Sequence, residues 1–527
     1  MAGNFTELIL GHAQDEPDKL ALVLPQGWQE GDPPTAEEWT FGQLASEVAS
    51  YRAGLLEQGF KPGDRVILMF PVSIELYVLV LAMLASGLAV VLIDTGMGRT
   101  KILQAVEDSR AKAIVSVDAL LRFRWFIPTL WRLQKFSLDS SGLFLHPASE
   151  LRGSAQTALP PVDRTPDDHA LITFTSGSTG RPKGADRTHG LLRAQHHALS
   201  QHFPEGDDEV DMPCFPVVTL HNLCCGITTV LPPVDFGAVA AAQGEVIWSW
   251  AQAHSVTRMS GAPAYMEALV SSLERGTPPP TTLRALGVGG ARVPVSLCKR
   301  TLAVLPEREC KVLYGSTEAE PIASASFEEV VDELEEGVLV GKEAEAAEVA
   351  LVDLPEPPPV LDERGLDPFR VDHGELLVRG PHVNRGYIDN PEANRLNKLA
   401  GPDATVWHRT GDLARRDDQG RLWLTGRLKD RVQHRGQIIH PFPLEEAGDA
   451  LAGVQRCALI DAEGPTFVLE LLSDANKSQV TMDVTRLLAE RELSGLPIEF
   501  IEAVPLDRRH NSKIDRPALR AALAGRR

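Results

Sequence analysis

The chain has 527 residues, of which 43% are hydrophobic and 24% charged, so it can form more than one packed domain. This composition excludes disorder as a description of the whole chain. The net charge is −20, from 72 acidic and 52 basic residues. Such an excess of acid argues against a protein that binds nucleic-acid phosphates through its overall field.

The cysteine pattern and the N-terminus predict a cytoplasmic protein. The six cysteines include no CxxC pair and no His spacing that suits zinc, so reduced thiols are expected. Met1–Leu10 lacks a basic region before an apolar stretch, so no secretory signal is expected. The most membrane-like stretch, Val66–Ile93, is broken by Glu75. It is better explained as a buried strand, helix and strand, at Val66–Phe70, Ile74–Ala85 and Ala89–Ile93.

Short β-branched runs alternate with helical patterns from Leu20 to about Thr425. This alternation predicts an α/β fold with mainly parallel sheets. Predicted strands include Ala113–Val117, Leu171–Phe174, Ala285–Val288, Lys311–Leu313 and Val349–Val352, and a predicted helix covers Thr40–Gly59. After Arg427 the pattern changes, which predicts a smaller, separate α+β domain.

The most informative segment is a loop rich in glycine and hydroxyl groups that directly follows the apolar run Leu171–Phe174. It reads Thr175-Ser-Gly-Ser-Thr-Gly-Arg-Pro-Lys-Gly184. Glycines let backbone N–H groups approach an anion, and the hydroxyls and cations add to its binding. It is not a Walker A loop, because no Ser or Thr follows the lysine. A flexible linker is a poorer explanation, so we predict a phosphate site built from Thr175, Ser176, Gly177, Ser178, Thr179, Gly180 and Lys183.

The loop resembles the signature of the adenylate-forming superfamily of acyl-CoA ligases, peptide-synthetase adenylation domains and luciferases. Further segments resemble motifs of that family in the same chain order: Gly289-Gly-Ala291, Tyr314-Gly-Ser-Thr-Glu318, Gly374–Gly380 with Gly386-Tyr387, Arg409-Thr-Gly-Asp412, Gly426-Arg-Leu-Lys-Asp430 with Gly436, and Lys513. The resemblance implies a large N-terminal AMP- and acyl-binding domain, residues 1–427. It also implies a small mobile C-terminal domain, residues 428–527, that carries a catalytic lysine.

Activating a carboxylate with ATP brings an anion to a highly charged phosphate chain, so cations and N–H dipoles must offset the repulsion. The resemblance implies that Glu318 binds Mg²⁺ and that Thr317 contacts the α-phosphate. A carboxylate beside a hydroxyl at a strand end also suits a hard cation. Lys513 is the implied catalytic lysine, which bridges the attacking carboxylate and the phosphate. Arg508 and Arg509 are nearby alternatives.

The nucleoside contacts also follow from the resemblance. Tyr314, Gly315 and Ser316 are expected on the adenine side, together with Gly289, Gly290 and Ala291. Without its motif, Tyr314 is more simply explained as a core aromatic. Asp412 is expected to accept the ribose hydroxyls, with Arg427 as a second contact. The alternative for Asp412 is a turn aspartate that caps its own loop.

Two further residues are assigned by position. Lys429 occupies the hinge about which the C-terminal domain of relatives rotates between two poses. His221 matches an aromatic or His that borders the acyl pocket. The histidines His196, His197 and His202 lie on a predicted helix without the supporting ligands expected of a metal site.

Departures from the common acyl-CoA ligase pattern indicate the substrate class. The segments Asp211-Met-Pro-Cys-Phe-Pro216, Glu318-Ala-Glu-Pro321, Asn390-Pro-Glu-Ala393 and Arg509-His-Asn-Ser-Lys513 look like those of OleC-type β-lactone synthetases of long-chain olefin biosynthesis. That resemblance implies a long-chain 3-hydroxy fatty acid, closure to a β-lactone, and partner enzymes of a lipid or olefin pathway. His221 and the Lys429-Asp430 pair fit an acyl-CoA ligase better, so CoA thioester formation is the alternative. A carrier-loading adenylation domain or a non-catalytic binder is less favoured.

Overall fold

The computed structural model describes residues 3–27, 34–154, 160–175, 181–202, 206, 208–332, 337–401, 405–507 and 512–524. The first part of the chain alternates strands and helices. Its elements are α1 (Thr6–Asp15), β1 (Leu20–Gln26), β2 (Thr35–Thr40), α2 (Phe41–Glu57), β3 (Arg65–Met69), α3 (Ile74–Ala85), β4 (Ala89–Ile93), α4 (Arg99–Asp108), β5 (Ala113–Ser116), α5 (Asp118–Leu121), β6 (Gln134–Ser137) and β7 (His146–Pro147).

The alternation continues through the segment that carries most of the predicted site. Its elements are β8 (His169–Thr175), β9 (Lys183–Thr188), α6 (His189–His202), β10 (Val210–Pro213), α7 (Val218–Cys224), β11 (Thr228–Val230), α8 (Gly244–Ala253), β12 (Arg258–Gly261), α9 (Pro263–Glu274), β13 (Ala285–Gly289), α10 (Val295–Val304), β14 (Glu309–Ser316), β15 (Ala319–Ser326) and α11 (Phe327–Asp332).

A strand-rich segment follows, with β16 (Val338–Glu343), β17 (Glu348–Val352), β18 (His373–Arg379), α12 (Pro391–Asn397), β19 (Lys398–Ala400), β20 (Val406–Arg416) and β21 (Leu422–Arg427). The C-terminal part has β22 (Val432–His434), β23 (Gln437–Ile439), α13 (Pro441–Asp449), β24 (Val454–Asp461), β25 (Pro465–Leu471), α14 (Lys477–Glu490), β26 (Ile498–Ile501) and α15 (Arg516–Ala524). Short 3-10 helices lie at Thr95–Met97, Arg122–Trp125, Pro128–Leu130, Ala148–Leu151, Val239–Ala241, Asp367–Phe369 and Leu428–Asp430.

The apolar stretch Val66–Ile93 forms the predicted buried β3-α3-β4 unit. Helix α3 and strand β4 have the predicted bounds, and β3 begins one residue earlier than predicted. Ser73 caps α3 by accepting a hydrogen bond from the Leu76 backbone N–H. The unit is apolar because β3 lies between β4 and β5 inside a sheet. No helix among the described residues is long and apolar enough to cross a membrane.

Two sheets form the large body. A seven-stranded sheet has the order β7-β6-β5-β3-β4-β8-β9, with parallel pairing except between β8 and β9. In a 14-stranded sheet, β1, β11, β10, β12, β13 and β14 pair in parallel. The α/β fold class is therefore confirmed.

The parallel pattern ends at β14. A tight turn at Thr317-Glu318 reverses the chain, so β15 pairs antiparallel with β14, and the pairs formed by β16, β17, β18, β20 and β21 are antiparallel too. Adjacent antiparallel strands need only short connections, whereas parallel ones need a crossover. The strands before Thr425 therefore pair in two ways, parallel and antiparallel. The sequence predicted mainly parallel pairing.

The C-terminal part forms its own domain with its own core. Strands β24, β25 and β26 make a three-stranded sheet, and α13 packs against β24. Buried apolar residues from this sheet, α13 and α14 form one cluster, which includes Leu444, Leu459, Phe467 and Val484. This arrangement matches the predicted class of a large α/β body followed by a smaller α+β domain.

Candidate active site

A cavity of about 620 Å³ lies where the two large sheets and the C-terminal domain meet. Leu92 and Leu171 line it from the seven-stranded sheet, and Met259 and Leu313 line it from the 14-stranded sheet. Lys513 lines it from the C-terminal domain. The carboxyl ends of parallel strands are the usual place for ligands in open α/β sheets. The cavity therefore brings Thr317, the predicted acyl-pocket residue His221 and Lys513 into one region.

The turn between β14 and β15 carries Thr317 and Glu318. It is tight, since Ser316 pairs directly with Ala319, and the Ser316 hydroxyl accepts a hydrogen bond of 3.2 Å from the Ala319 N–H. A Cβ at Gly315 would lie 3.1 Å from the Ala319 carbonyl oxygen, so glycine suits this position. Arg187 donates a hydrogen bond of 3.0 Å to the Thr317 carbonyl. The Thr317 residue is thereby fixed at the cavity wall.

Glu318 is an ionised carboxylate in a buried environment. Burial alone would raise its pKa, but His408, Lys398 and the Tyr387 hydroxyl lower it to about 2. The Tyr387 hydroxyl donates to Glu318 Oε1 over 2.7 Å. A carboxylate that stays charged in a buried site next to a threonine is an oxygen donor of the kind that Mg²⁺ prefers.

Lys183 lies at the start of β9, where it pairs with Thr175 at the end of β8. Its ammonium group is 3.3 Å from Asn397 Oδ1 and 5.3 Å from the centre of the Tyr387 ring. Burial lowers its pKa, opposed by Glu318 and reinforced by Lys429. Thr175 and Lys183 thus flank the loop at its base. The loop residues Ser176, Gly177, Ser178, Thr179 and Gly180 lie outside the described residues.

Three predicted nucleoside contacts come together beside the β14–β15 turn: Tyr314, Asp412 and Arg427. The Tyr314 hydroxyl donates to Asp412 Oδ2 over 2.8 Å, and Arg427 Nε lies 3.0 Å from Asp412 Oδ1. Asp412 and Arg427 are directly paired on β20 and β21. An ionised carboxylate has about four lone-pair sites, so Asp412 retains acceptor capacity beyond these two contacts.

The predicted adenine-side glycines lie at the end of β13 and in the turn that follows it. Gly290 has φ +79°, a conformation that favours glycine, and a Cβ at Gly289 would lie 2.6 Å from the Leu313 carbonyl oxygen. Both glycines line the cavity. Ala291 follows them in the same turn, next to Arg292.

Lys513 lines the cavity and lies next to an isolated antiparallel bridge between Leu506 and Ile514. Its backbone N–H donates to Asp507 Oδ1 over 2.7 Å, and the Asp507 N–H donates back to the Lys513 carbonyl over 2.8 Å. The adjacent Ser512 hydroxyl accepts a hydrogen bond of 3.2 Å from the Ala264 N–H at the start of α9. The C-terminal domain is thus docked with Lys513 facing the site. Lys429, exposed in the 3-10 helix Leu428–Asp430, lies at the connection between the two domains.

His221 is buried in α7 and lines the cavity. Burial lowers its pKa to about 3, with further contributions from His196 and Arg258. Its Nδ1 lies 3.0 Å from His196 Nδ1, and Cys225 Sγ lies 3.6 Å from its Nε2. Of the three histidines considered in the sequence, His196 approaches His221. The side chain of His202 lies outside the described residues.

Sequence reasoning did not assign roles to four residues around the turn: Tyr387, Lys398, His408 and Arg187. Lys398 and His408 are opposite each other on β19 and β20. Both lie far from Glu318 in the sequence, and the fold brings them close enough to lower its pKa. The Gly386-Tyr387 motif is the one sequence signal that could have pointed to Tyr387 as a site residue. No local pattern marks Lys398, His408 or Arg187.

Comparisons with known proteins identify the family of the chain. The family model of AMP-binding enzymes matches residues 11–388. An olefin β-lactone synthetase of Stenotrophomonas maltophilia is 30% identical, over 96% of this chain and 95% of its own. A 2-succinylbenzoate–CoA ligase of Bacillus velezensis is 26% identical, over 97% and 96% of the two chains.

Solved structures support the fold. An amide bond synthetase of Marinactinospora thermotolerans superposes with a TM-score of 0.79 at 20% identity, covering 98% of this chain and 99% of that one. An O-succinylbenzoate coenzyme A synthetase of Bacillus subtilis, solved with ATP and magnesium ion, has a TM-score of 0.76 at 20% identity, covering 98% and 99%.

The match to the AMP-binding family model and the similarity to a β-lactone synthetase and a CoA ligase define an AMP-forming ligase. With most of its length matched by the family model, the chain belongs to the AMP-binding enzymes. It is an enzyme that uses ATP to form an adenylate.

Proposed function

We propose that the protein adenylates a long-chain 3-hydroxy fatty acid and then closes the acyl adenylate to a β-lactone. The observation that supports this most directly is the shared cavity. An apolar wall, Thr317 of the β14–β15 turn and Lys513 all border the same space. A long acyl chain can occupy the apolar part while its carboxylate lies near the turn and the lysine.

In the first step the substrate carboxylate attacks the α-phosphate of ATP and pyrophosphate leaves. Lys513 neutralises the charge that develops between the two anions, and Thr317 contacts the α-phosphate. Lys183 and the loop from Thr175 to Gly180 hold the remaining phosphates. Glu318 is the ligand for Mg²⁺, which would offset the negative charge of the phosphate chain when bound.

The nucleoside lies against the opposite side of the turn. Tyr314, Gly315 and Ser316 contact the adenine together with Gly289, Gly290 and Ala291. Asp412 accepts the ribose hydroxyls, and Arg427 supports it. The contacts Tyr314–Asp412 and Asp412–Arg427 support this assignment, since they hold the carboxylate in one orientation.

In the second step the 3-hydroxyl oxygen attacks the acyl carbon. The bond from that carbon to the phosphate-bearing oxygen breaks, AMP leaves with the electron pair, and the hydroxyl proton passes to water. Both reacting groups belong to one molecule, so no acceptor has to be bound. The similarity to a named olefin β-lactone synthetase supports this step.

The domains also have proposed roles. Residues 1–427 bind ATP and the acid, and residues 428–527 form a cap that turns about Lys429 after adenylation. We infer that the protein works in the cytoplasm, with enzymes of a lipid or olefin pathway as its partners.

The alternative is an acyl-CoA ligase, in which CoA takes the acyl group from the adenylate. The similarity to a named CoA ligase and His221 on the cavity wall favour this alternative. One incubation separates the two functions: protein, ATP, Mg²⁺ and a long-chain 3-hydroxy acid, with and without CoA. A CoA-independent product lighter than the acid by one water supports the lactone, whereas a thioester that forms only with CoA contradicts it.

A further inference from the structure

An exposed apolar surface lies in the segment that precedes the predicted phosphate loop. It is formed by Trp125, Phe126, Trp131, Leu143 and Phe144, here called the aromatic surface, whose exposed fractions run from 48% to 79%. Large apolar side chains that are exposed singly are ordinary, but a group of them indicates an interaction site.

Ring and hydrogen-bond contacts link four members of the aromatic surface: Trp125, Trp131, Leu143 and Phe144. The rings of Trp125 and Phe144 meet edge to face with centres 5.9 Å apart. The Trp131 indole N–H donates to the Arg124 carbonyl over 3.0 Å, and Arg124 itself donates to the Leu143 carbonyl over 3.4 Å. Two separate loops are therefore held side by side with their apolar groups facing outward.

The loop that carries Leu143 and Phe144 is an unusual turn. Gly142 and Leu145 exchange two backbone hydrogen bonds of 3.0 Å, so Leu143 and Phe144 occupy the two central positions. Phe144 has φ +57°, a conformation that favours Gly, Asn or Asp and is rare for a bulky residue. Polar residues normally occupy such water-facing turns. Two large apolar groups at the tip indicate that something other than water covers it.

The segment that carries Trp125, Phe126 and Trp131 has a charge opposite to that of the whole chain. Residues 119–138 contain no acid and four bases, whereas the whole chain has a net charge of −20. Lys135 is buried and donates to the Leu133 carbonyl, so Arg122, Arg124 and Arg132 supply the charge near the surface. Asp118 and Asp139 flank the segment, and Asp118 accepts hydrogen bonds from Ser137 and Ser140.

We propose that the aromatic surface binds to an anionic lipid bilayer, with the tryptophan and phenylalanine side chains at the headgroup level. Trp side chains are enriched at membrane interfaces, and arginines beside them attract anionic headgroups. The protein lies on the membrane through this surface. Pairing with a second copy is disfavoured, since a two-fold contact sets the same arginines against each other. The inference goes beyond the proposed reaction and does not depend on which acyl product forms.

The test is sedimentation of the full-length protein with vesicles of phosphatidylcholine alone or mixed with phosphatidylglycerol. Binding is expected with the mixed vesicles, and added salt should weaken it. Arg122→Gln and Arg132→Gln should each lower the binding constant by about fivefold. Phe144→Gly should lower it by about tenfold while keeping the fold, since glycine suits the backbone at this position.

The matched control is Leu56→Ser, which removes an equally exposed apolar residue from α2, outside the aromatic surface. Its vesicle binding should equal that of the unchanged protein. All variants should release pyrophosphate at the normal rate with a water-soluble acid, which separates this proposal from the proposed function. Failure to bind either vesicle, or equal binding by Phe144→Gly, would overturn the proposal. A dimer that the Phe144→Gly change dissociates would assign the surface to a second copy and also overturn it.

Discussion

The hydroxyl group of Tyr387 donates a hydrogen bond of 2.7 Å to Oε1 of Glu318, which lies 69 positions earlier in the chain. Both side chains are largely buried, and the bond favours the ionised form of the carboxylate. Tyr387 therefore prepares Glu318 for the cation that we propose it binds.

Changing Tyr387 to Phe removes this bond without changing the ring. The pKa of Glu318 should rise, and the Mg²⁺ concentration needed for half-maximal pyrophosphate release should increase by about three- to tenfold. The matched control is Tyr51→Phe, which removes another Tyr–Glu hydrogen bond, to Glu75, outside the cavity. That variant should lose stability but keep the normal Mg²⁺ dependence. The same Mg²⁺ dependence in both variants would argue against a cation at Glu318.

The pH dependence of Mg²⁺ binding should follow Lys398. Burial lowers its pKa to about 7, although Glu318 opposes the shift and Lys183 adds to it. As the pH rises through this value, Lys398 loses its positive charge and the surroundings of Glu318 become more negative. His408, whose pKa burial lowers to about 3, stays uncharged over this range. The apparent Mg²⁺ affinity should therefore increase between about pH 6 and about pH 8.

Lys398→Met should flatten that increase, because it removes the titrating group. Lys112→Met is the control, since it removes a lysine that is ion-paired to Asp64 outside the site. If the Mg²⁺ affinity of Lys398→Met still rises with pH as in the unchanged protein, the titrating group is a different one. Lys183 is then the first candidate.

Arg292 links the two domains in the present pose. It lies beside the adenine-side turn, and its guanidinium is 2.6 Å from Glu446 Oε1 and also contacts Asp449, both on α13. Arg292→Ala leaves two neighbouring carboxylates without their shared cation. We expect this to weaken docking of the C-terminal domain and slow pyrophosphate release by about tenfold. Turnover of preformed acyl-AMP should be less affected.

Arg300→Ala is the control for Arg292→Ala, because Arg300 is ion-paired to Glu267 and Glu274 within the large body. It should leave pyrophosphate release unchanged. Suppose that Arg292→Ala instead slows pyrophosphate release and acyl-AMP turnover equally. That result would mean that the ion pairs stabilise the whole protein and do not favour the docked position of the C-terminal domain.

Local sequence patterns predicted much of the fold. The bounds of α3 and β4 follow from apolar runs that act over a few residues, and β8 covers the predicted run Leu171–Phe174. The antiparallel half of the large sheet was not predicted, because the hydrophobic pattern of a strand does not show which other strand it pairs with. Lys398 and His408 were missed for a related reason: their approach to Glu318 depends on how β19 and β20 pack beside the β14–β15 turn.

The most direct test of the proposed chemistry is the rate of pyrophosphate release by Lys513→Ala in a single turnover, with ATP affinity measured alongside. Lys513 lines the cavity from the C-terminal domain, so its loss should slow adenylation by about two to three orders of magnitude. ATP binding should change little, and Lys477→Ala, an exposed lysine on α14 of the same domain, should behave as the unchanged protein. An unchanged rate in Lys513→Ala would contradict the assignment of the charge-neutralising role to this lysine.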